Sequence, residues 1–181
     1  MSYFKFIFTG TPGSGKTSAI SALSDNPPIT SAASVSQELS DITSGQKISM
    51  DFGEITLKEN IKVHLYGIPG QERFRFLWET ITRGSIGLII LVDNSRPSPL
   101  DDLDIYLDNF ASFISETGAV VGITHMDTAG KCTTSLEDYY THLEQRGITL
   151  PVYQTDARDL NDVLFLLDTL MAIIEYSQLI S

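Results

Sequence analysis

Gly10-Thr11-Pro12-Gly13-Ser14-Gly15-Lys16-Thr17 lies between an aromatic-rich apolar run, Phe4-Lys5-Phe6-Ile7-Phe8, and a helical pattern over 17–23 that Asp25-Asn26-Pro27-Pro28 brings to an end. The octapeptide matches G-x-x-x-x-G-K-[ST], and it sits where that pattern has physical meaning, after a strand and opening a helix. Its glycines let the backbone curl so that several N–H groups and the helix N-terminus face one anionic phosphate. Gly13, Ser14, Gly15 and Ser18 are then candidate phosphate contacts, Lys16 would reach the β- and γ-phosphates, and the Thr17 hydroxyl would ligate Mg²⁺. A glycine-rich turn with an exposed lysine is the bland alternative, and the strand–loop–helix context speaks against it. The stretch predicts a nucleoside-phosphate site on an α/β fold.

The rest of the chain agrees with that class. Short apolar runs alternate with longer helical patterns, and neither repeats nor low-complexity blocks interrupt them. Runs 50–57 and 61–66 alternate as paired strands, with Lys58-Glu59-Asn60 as their turn. Residues 87–92 and 119–124 are continuously hydrophobic, as strands covered on both faces should be. Leu103, Leu107, Phe110 and Ile114 share one helical face, with Asp101, Asp102, Asp104 and Asp108 mostly elsewhere on a face expected to be solvated. Helical patterns also cover 136–145 and the segment from Leu160 to Ile174, with a short strand at 152–155 between them. Residues 26–49 contain six serines and few bulky apolar groups, which suits a functional lid better than a core element. End to end, the pattern predicts a mostly parallel sheet with helices on both faces.

The 181 residues fit one domain, 1–181, and 42% hydrophobic against 19% charged residues can build a core. A net charge of −11 argues against nucleic acid or an anionic lipid surface as a general partner. The longest apolar stretch, 86–92, is too short to span a bilayer. Secretory and lipid-anchor signals are not evident, and the lone Cys132 has no disulfide partner. The expectation is a soluble, cytoplasmic protein without a direct membrane anchor.

The glycine-rich loop does not read the base. Two further stretches bear on that choice: Leu65-Tyr66-Gly67-Ile68-Pro69-Gly70-Gln71-Glu72-Arg73-Phe74 and Gly122-Ile123-Thr124-His125-Met126-Asp127, each at the end of a strand. The Asp127 carboxylate can accept from both N1–H and the N2 amino group of guanine, a bidentate match that adenine lacks. Leaving a buried carboxylate unpaired would discriminate by orders of magnitude.

With a closing Thr155-Asp156-Ala157-Arg158, these blocks resemble the Ras superfamily of small GTPases, most closely the prokaryotic Ras-like proteins related to the gliding-motility GTPase and the conservon-type GTP-binding proteins. The resemblance covers nearly the whole chain. It implies a P-loop NTPase fold with a mostly parallel six-stranded sheet, one antiparallel edge strand and five helices. It also implies GTP, GDP and Mg²⁺ as ligands, two switch loops that rearrange with the γ-phosphate, and bacterial effectors or GTPase-activating partners of roadblock or longin type.

Carried over by position, Lys16, Thr17 and Gly70 match the phosphate and metal motifs, with the Gly70 N–H on the γ-phosphate. Gln71 matches the glutamine that orients the attacking water. Asp127 matches the guanine-reading aspartate, and Ala157, flanked by Asp156 and Arg158, matches the alanine whose N–H contacts the guanine oxygen. Thr124 and His125 stand where Asn-Lys is usual; His125 either lays its ring against the base or ribose or caps the strand. Gly67 stands where the family has an aspartate holding a Mg²⁺-bound water. In register with Asp51-Phe52, the switch threonine falls on Lys47, with Thr43 and Ser44 nearby, and Lys47 either approaches the γ-phosphate or points to water. Pro12 replaces a glycine beside the γ-phosphate and removes a donor. Arg73 and Arg75 read as surface charge. Asp93 is a metal aspartate in an ATPase and a turn residue in a GTPase. The sequence thus favours a regulatory GTPase over a nucleotide-binding module with little hydrolysis, and both over an ATP-dependent kinase.

Overall fold

The computed structural model describes residues 3–31, 50–57, 61–128 and 134–179. Among the described residues, seven strands form one sheet: β1 (Tyr3–Gly10), β2 (Ile29–Ser31), β3 (Met50–Thr56), β4 (Lys62–Gly67), β5 (Gly87–Asp93), β6 (Ala119–Thr124) and β7 (Val152–Gln154), in the order β2-β3-β4-β1-β5-β6-β7. The β4-β1-β5-β6-β7 pairings are parallel, and β3 and β2 add antiparallel to the β4 side. The six strands expected therefore gain a seventh. Ile29–Ser31, within the serine-rich segment, pairs with Met50–Phe52 and becomes the edge, its Ile29 side chain still exposed. Most of the remaining serine-rich segment lies outside the described residues, as do Lys47, Thr43, Ser44, the 58–60 turn and Cys132.

Among the described residues, six α-helices flank the sheet, where five were expected: α1 (Lys16–Leu23), α2 (Arg75–Thr82), α3 (Pro99–Asn109), α4 (Ala111–Thr117), α5 (Leu136–Gln145) and α6 (Leu160–Leu179). The single helix expected across Leu103 to Ile114 breaks at Phe110, whose φ of −106° and ψ of 12° leave the helical well and start α4. Sequence reading also passed over α2, which buries Leu77, Trp78 and Ile81 at helical spacing. Pro99 opens α3, where its missing N–H would have had no partner. A capping box starts α5: Ser135 Oγ accepts from the Asp138 amide while the Asp138 carboxylate accepts from the Ser135 amide.

Strand pleating splits the core. Phe6, Phe8, Ile89 and Leu91 pack with Ile20 of α1 and Leu166 and Leu170 of α6 on one face. On the other, Ile7, Leu88 and Ile90 pack with Trp78 of α2, Tyr106 of α3 and Tyr139 of α5. Both faces of β1, β5 and β6 are covered, so the loops at their carboxyl ends are held from two sides, which is where open α/β sheets bind ligands. The acidic face of α3 is not simply solvated. Asp104 pairs with His142 at 2.7 Å and with Arg146, Asp108 also meets Arg146, and Asp102 meets Arg96. Among the described residues, no helix is long and apolar enough to cross a membrane.

Candidate functional site

The loop after β1 curls as the glycines allow. Gly15 has φ 97°, and a Cβ there would lie 2.6 Å from the Ala157 methyl, so a side chain would be excluded by conformation and by space. Lys16 folds back over the loop and donates to the Gly10 and Thr11 carbonyls, each at 2.7 Å. Burial lowers its pKa to about 8, only partly offset by the nearby Asp51 carboxylate. Thr17 Oγ1 donates to Asp51 Oδ2 at 2.5 Å, and Thr30 Oγ1 donates to Asp51 Oδ1 at 2.9 Å. Ser18 is exposed one residue further on.

The block Thr124 to Asp127 packs directly on this loop. The buried Thr124 hydroxyl reaches the Ser14 carbonyl at 3.1 Å and the Val92 carbonyl at 3.2 Å, tying β6 to the loop and to β5. His125 adopts φ 58°, unusual for a residue with a side chain, and its Nδ1 lies 3.1 Å from Asp93 Oδ1. Asp93 also accepts from the Ser95 amide and hydroxyl, so its carboxylate serves the turn after β5, as turn chemistry predicts. Arg158 makes a two-toothed contact with Asp156, at 2.9 and 2.7 Å, and that contact holds the Asp156 carboxyl at about 2. The Asp156 amide in turn donates to Asp162, a residue the sequence did not single out.

These groups enclose a cavity of about 460 Å³. Gly13, Gly15 and Ser18 line one side; Thr124, His125 and Asp127 line another; Asp156, Ala157 and Arg158 complete it. Asp127 is exposed to this cavity rather than buried.

A second cavity, about 360 Å³, shares Gly13 with the first and is lined by Lys16, Thr17, Thr30, Asp51, Gly70, Gln71 and Arg73. Gly70 lies so close to the loop that a Cβ would meet the Gly10 carbonyl oxygen at 1.7 Å. Three hydrogen bonds hold the segment there: Ile68 N–H to the Phe8 carbonyl at 3.0 Å, Trp78 Nε1–H to the Pro69 carbonyl at 3.0 Å, and Tyr106 O–H to the Gly70 carbonyl at 2.8 Å. Arg75 stands apart, paired with Glu72 at 3.4 Å. Thr30, Asp51, Trp78 and Tyr106 escaped the sequence reading, because only the folded chain brings them to the loop. For Asp51, its place in the switch segment was the one available signal.

Residues 29–178 match the family model described as a conserved hypothetical ATP binding protein. The chain belongs to that family. The family match starts downstream of the glycine-rich loop, and the family's description and the motif agree on nucleotide binding. No curated protein matches the chain. In this member of the ATP-binding family, Gly13, Gly15, Lys16, Thr17, Ser18, Gly70, Gln71, Thr124, His125, Asp127, Asp156, Ala157 and Arg158 each line one of the two cavities; Ser14 instead anchors Thr124 through its carbonyl, Asp93 lines neither cavity, and Lys47 lies outside the described residues.

Proposed function

We propose that the chain is a guanine-nucleotide switch, binding GTP and GDP with Mg²⁺ and hydrolysing GTP slowly in a Ras-like cycle. The observation that carries this reading is the pair of cavities meeting at Gly13, with Asp127 and Ala157 at one end and Lys16, Thr17, Gly70 and Gln71 at the other. Asp127 would accept from guanine N1–H and N2–H while the Ala157 N–H donates to the guanine oxygen. Lys16 would exchange its two loop carbonyls for phosphate oxygens, a charge-assisted replacement. Gln71 would orient the attacking water, and the Gly70 N–H would meet the γ-phosphate.

The Thr17 hydroxyl, hydrogen-bonded to a carboxylate, is the kind of hard oxygen that Mg²⁺ takes together with phosphates and water. Thr17 would hold the ion, which when bound neutralises charge developing on the phosphates. Roadblock- or longin-type proteins, implied by the resemblance, would read the state or accelerate hydrolysis.

A second reading is adenine nucleotide, favoured by the family's description as ATP binding. The exposure of Asp127 makes leaving it unpaired cheaper than a buried carboxylate would be, which narrows the discrimination. Titration of nucleotide-free protein with labelled GTP, GDP and ATP, with and without Mg²⁺, separates the two. Strong guanine preference supports the switch; equal or better ATP binding overturns it and leaves the adenine reading.

A further inference from the structure

The resemblance implies an aspartate at position 67 beside a metal ion; this chain has Gly67 there, and its neighbour across the sheet is a carboxylate. Gly67 of β4 and Asp51 of β3 are directly paired residues in the antiparallel ladder. A Cβ built on Gly67 would lie 3.2 Å from the Asp51 Cβ and 3.4 Å from its Oδ2, so the two positions project to the same side and serve the same space. That space is the 360 Å³ cavity with Lys16 and Thr17 on its wall. Asp51 is only 9% exposed. Its Oδ2 accepts from Thr17 at 2.5 Å and its Oδ1 from Thr30 at 2.9 Å. A carboxylate taken this far out of water needs compensating charge; its two hydrogen-bond partners are neutral hydroxyls, and the positive charge near it is the Lys16 ammonium, which a phosphate would draw away.

Resting on the reading of the site as one for Mg²⁺-nucleotide, we propose that Asp51 supplies, from the neighbouring strand, the carboxylate of the metal site that position 67 lacks. It acts as a positioning residue. By accepting a hydrogen bond from the Thr17 O–H it directs an oxygen lone pair of that hydroxyl toward the cation, and its charge favours a divalent ion beside the phosphates. Among the described residues, no cluster of three or more His, Cys, Asp or Glu could hold a metal without phosphate. The carboxylate thus works only in company with the nucleotide. Thr30 holds its other oxygen, so β2, the strand added at the sheet edge, becomes part of the metal site.

The bland alternative is a strap, in which Asp51 merely ties α1 and β2 to β3. Release of fluorescently labelled GDP into excess unlabelled nucleotide, timed in MgCl₂ and in EDTA, tells the two apart without requiring turnover. Wild-type protein should release more slowly in Mg²⁺. Asp51→Asn keeps the shape and one acceptor but loses the charge, and should raise the Mg²⁺ concentration needed for slowing by roughly 10–100-fold, the usual loss when a group supporting a metal ligand is removed. Asp51→Ser offers a second uncharged variant should the first unfold. Moving the carboxylate back, in Asp51→Gly/Gly67→Asp, should restore the Mg²⁺ effect, an outcome a strap would not produce; Ile20 Cδ1, 2.8 Å from the new Cβ, is a flexible methyl that can yield. Mn²⁺ binding, followed by water-proton relaxation in the presence of GDP, should track the same order. Unchanged Mg²⁺ dependence in both uncharged variants overturns the role of Asp51 and leaves the nucleotide site standing. Wild-type release that ignores Mg²⁺ overturns the metal site itself, and with it this assignment.

Discussion

The two ends of the site are built on opposite plans. At the 460 Å³ end the walls are fixed before any ligand arrives: Thr124 is buried and bonded to the loop and β5, and the Ala157 methyl is packed against Gly15. At the 360 Å³ end the polar groups satisfy one another: Lys16 occupies two backbone carbonyls, Thr17 occupies Asp51, and Gly70 rests on Gly10. A ligand entering the first end finds its partners waiting. At the second it must replace contacts the protein already makes, so its net gain there is the difference between two sets of hydrogen bonds. Shape selection therefore belongs to the first end and conformational response to the second.

Gly15→Ala should break this division most severely, since it sets a Cβ against Ala157 in a left-handed conformation. Strain of about 1–3 kcal/mol predicts a loss of nucleotide affinity of up to roughly 100-fold; equilibrium binding of labelled GDP checks it.

Lys16→Met tests the second end. Triphosphate affinity should fall by roughly 10–100-fold through loss of charge-assisted bonds, while the melting temperature of the ligand-free protein holds or rises. The pH dependence has a definite sign. With a pKa of about 8 in the free protein, Lys16 is already protonated below that pH and phosphate binding is fully supported. Above it, binding must take up a proton, so affinity should fall by up to about tenfold per pH unit, and the fall should vanish in the variant. Ligand-free stability runs the other way. Between pH 8 and 10.5 the unfolded chain keeps a proton the folded chain has released, so Lys16 contributes rising stability across that window.

How much of this was legible beforehand differs between the same two ends. The 460 Å³ end was readable because its parts are local: Thr124 to Asp127 follow one strand and Asp156 to Arg158 another, each block keeping its spacing. The 360 Å³ end was half readable. Lys16, Thr17, Gly70 and Gln71 lie in continuous motifs, whereas Asp51, Thr30, Trp78 and Tyr106 reach the site through strand register and helix packing, which spacing along the chain does not encode. The seventh strand escaped for a related reason: three residues with an exposed isoleucine carry no periodic signal and exist as a strand only because β3 offers an edge.

Asp127→Ala sharpens the comparison at the first end. The ratio of GTP to ATP affinity should shrink by roughly 10–100-fold with little change in ATP binding, as expected when a base-specific acceptor is removed. Competition titrations measure it directly, and equal weakening of both nucleotides would remove base reading from Asp127.

The smallest effect is expected from Tyr106→Phe. The Gly70 carbonyl loses its donor, a cost of about 1 kcal/mol in thermal or urea unfolding. Because Tyr106 holds the Gly70 segment rather than any ligand, triphosphate and diphosphate affinities should shift unequally and by less than about fivefold, the unequal response being the mark of a conformational role.

Trp78 is the only tryptophan in the chain, and its indole N–H is bonded to the Pro69 carbonyl, next to the glycine that lies against the loop. It is also stacked on Phe110, with ring centroids 5.0 Å apart, and almost wholly shielded from water. The protein thus carries an intrinsic optical gauge of its own 360 Å³ cavity. Any ligand that lifts Pro69 and Gly70 from Gly10 exchanges a carbonyl for solvent at that indole, and the emission of unlabelled protein will register the event.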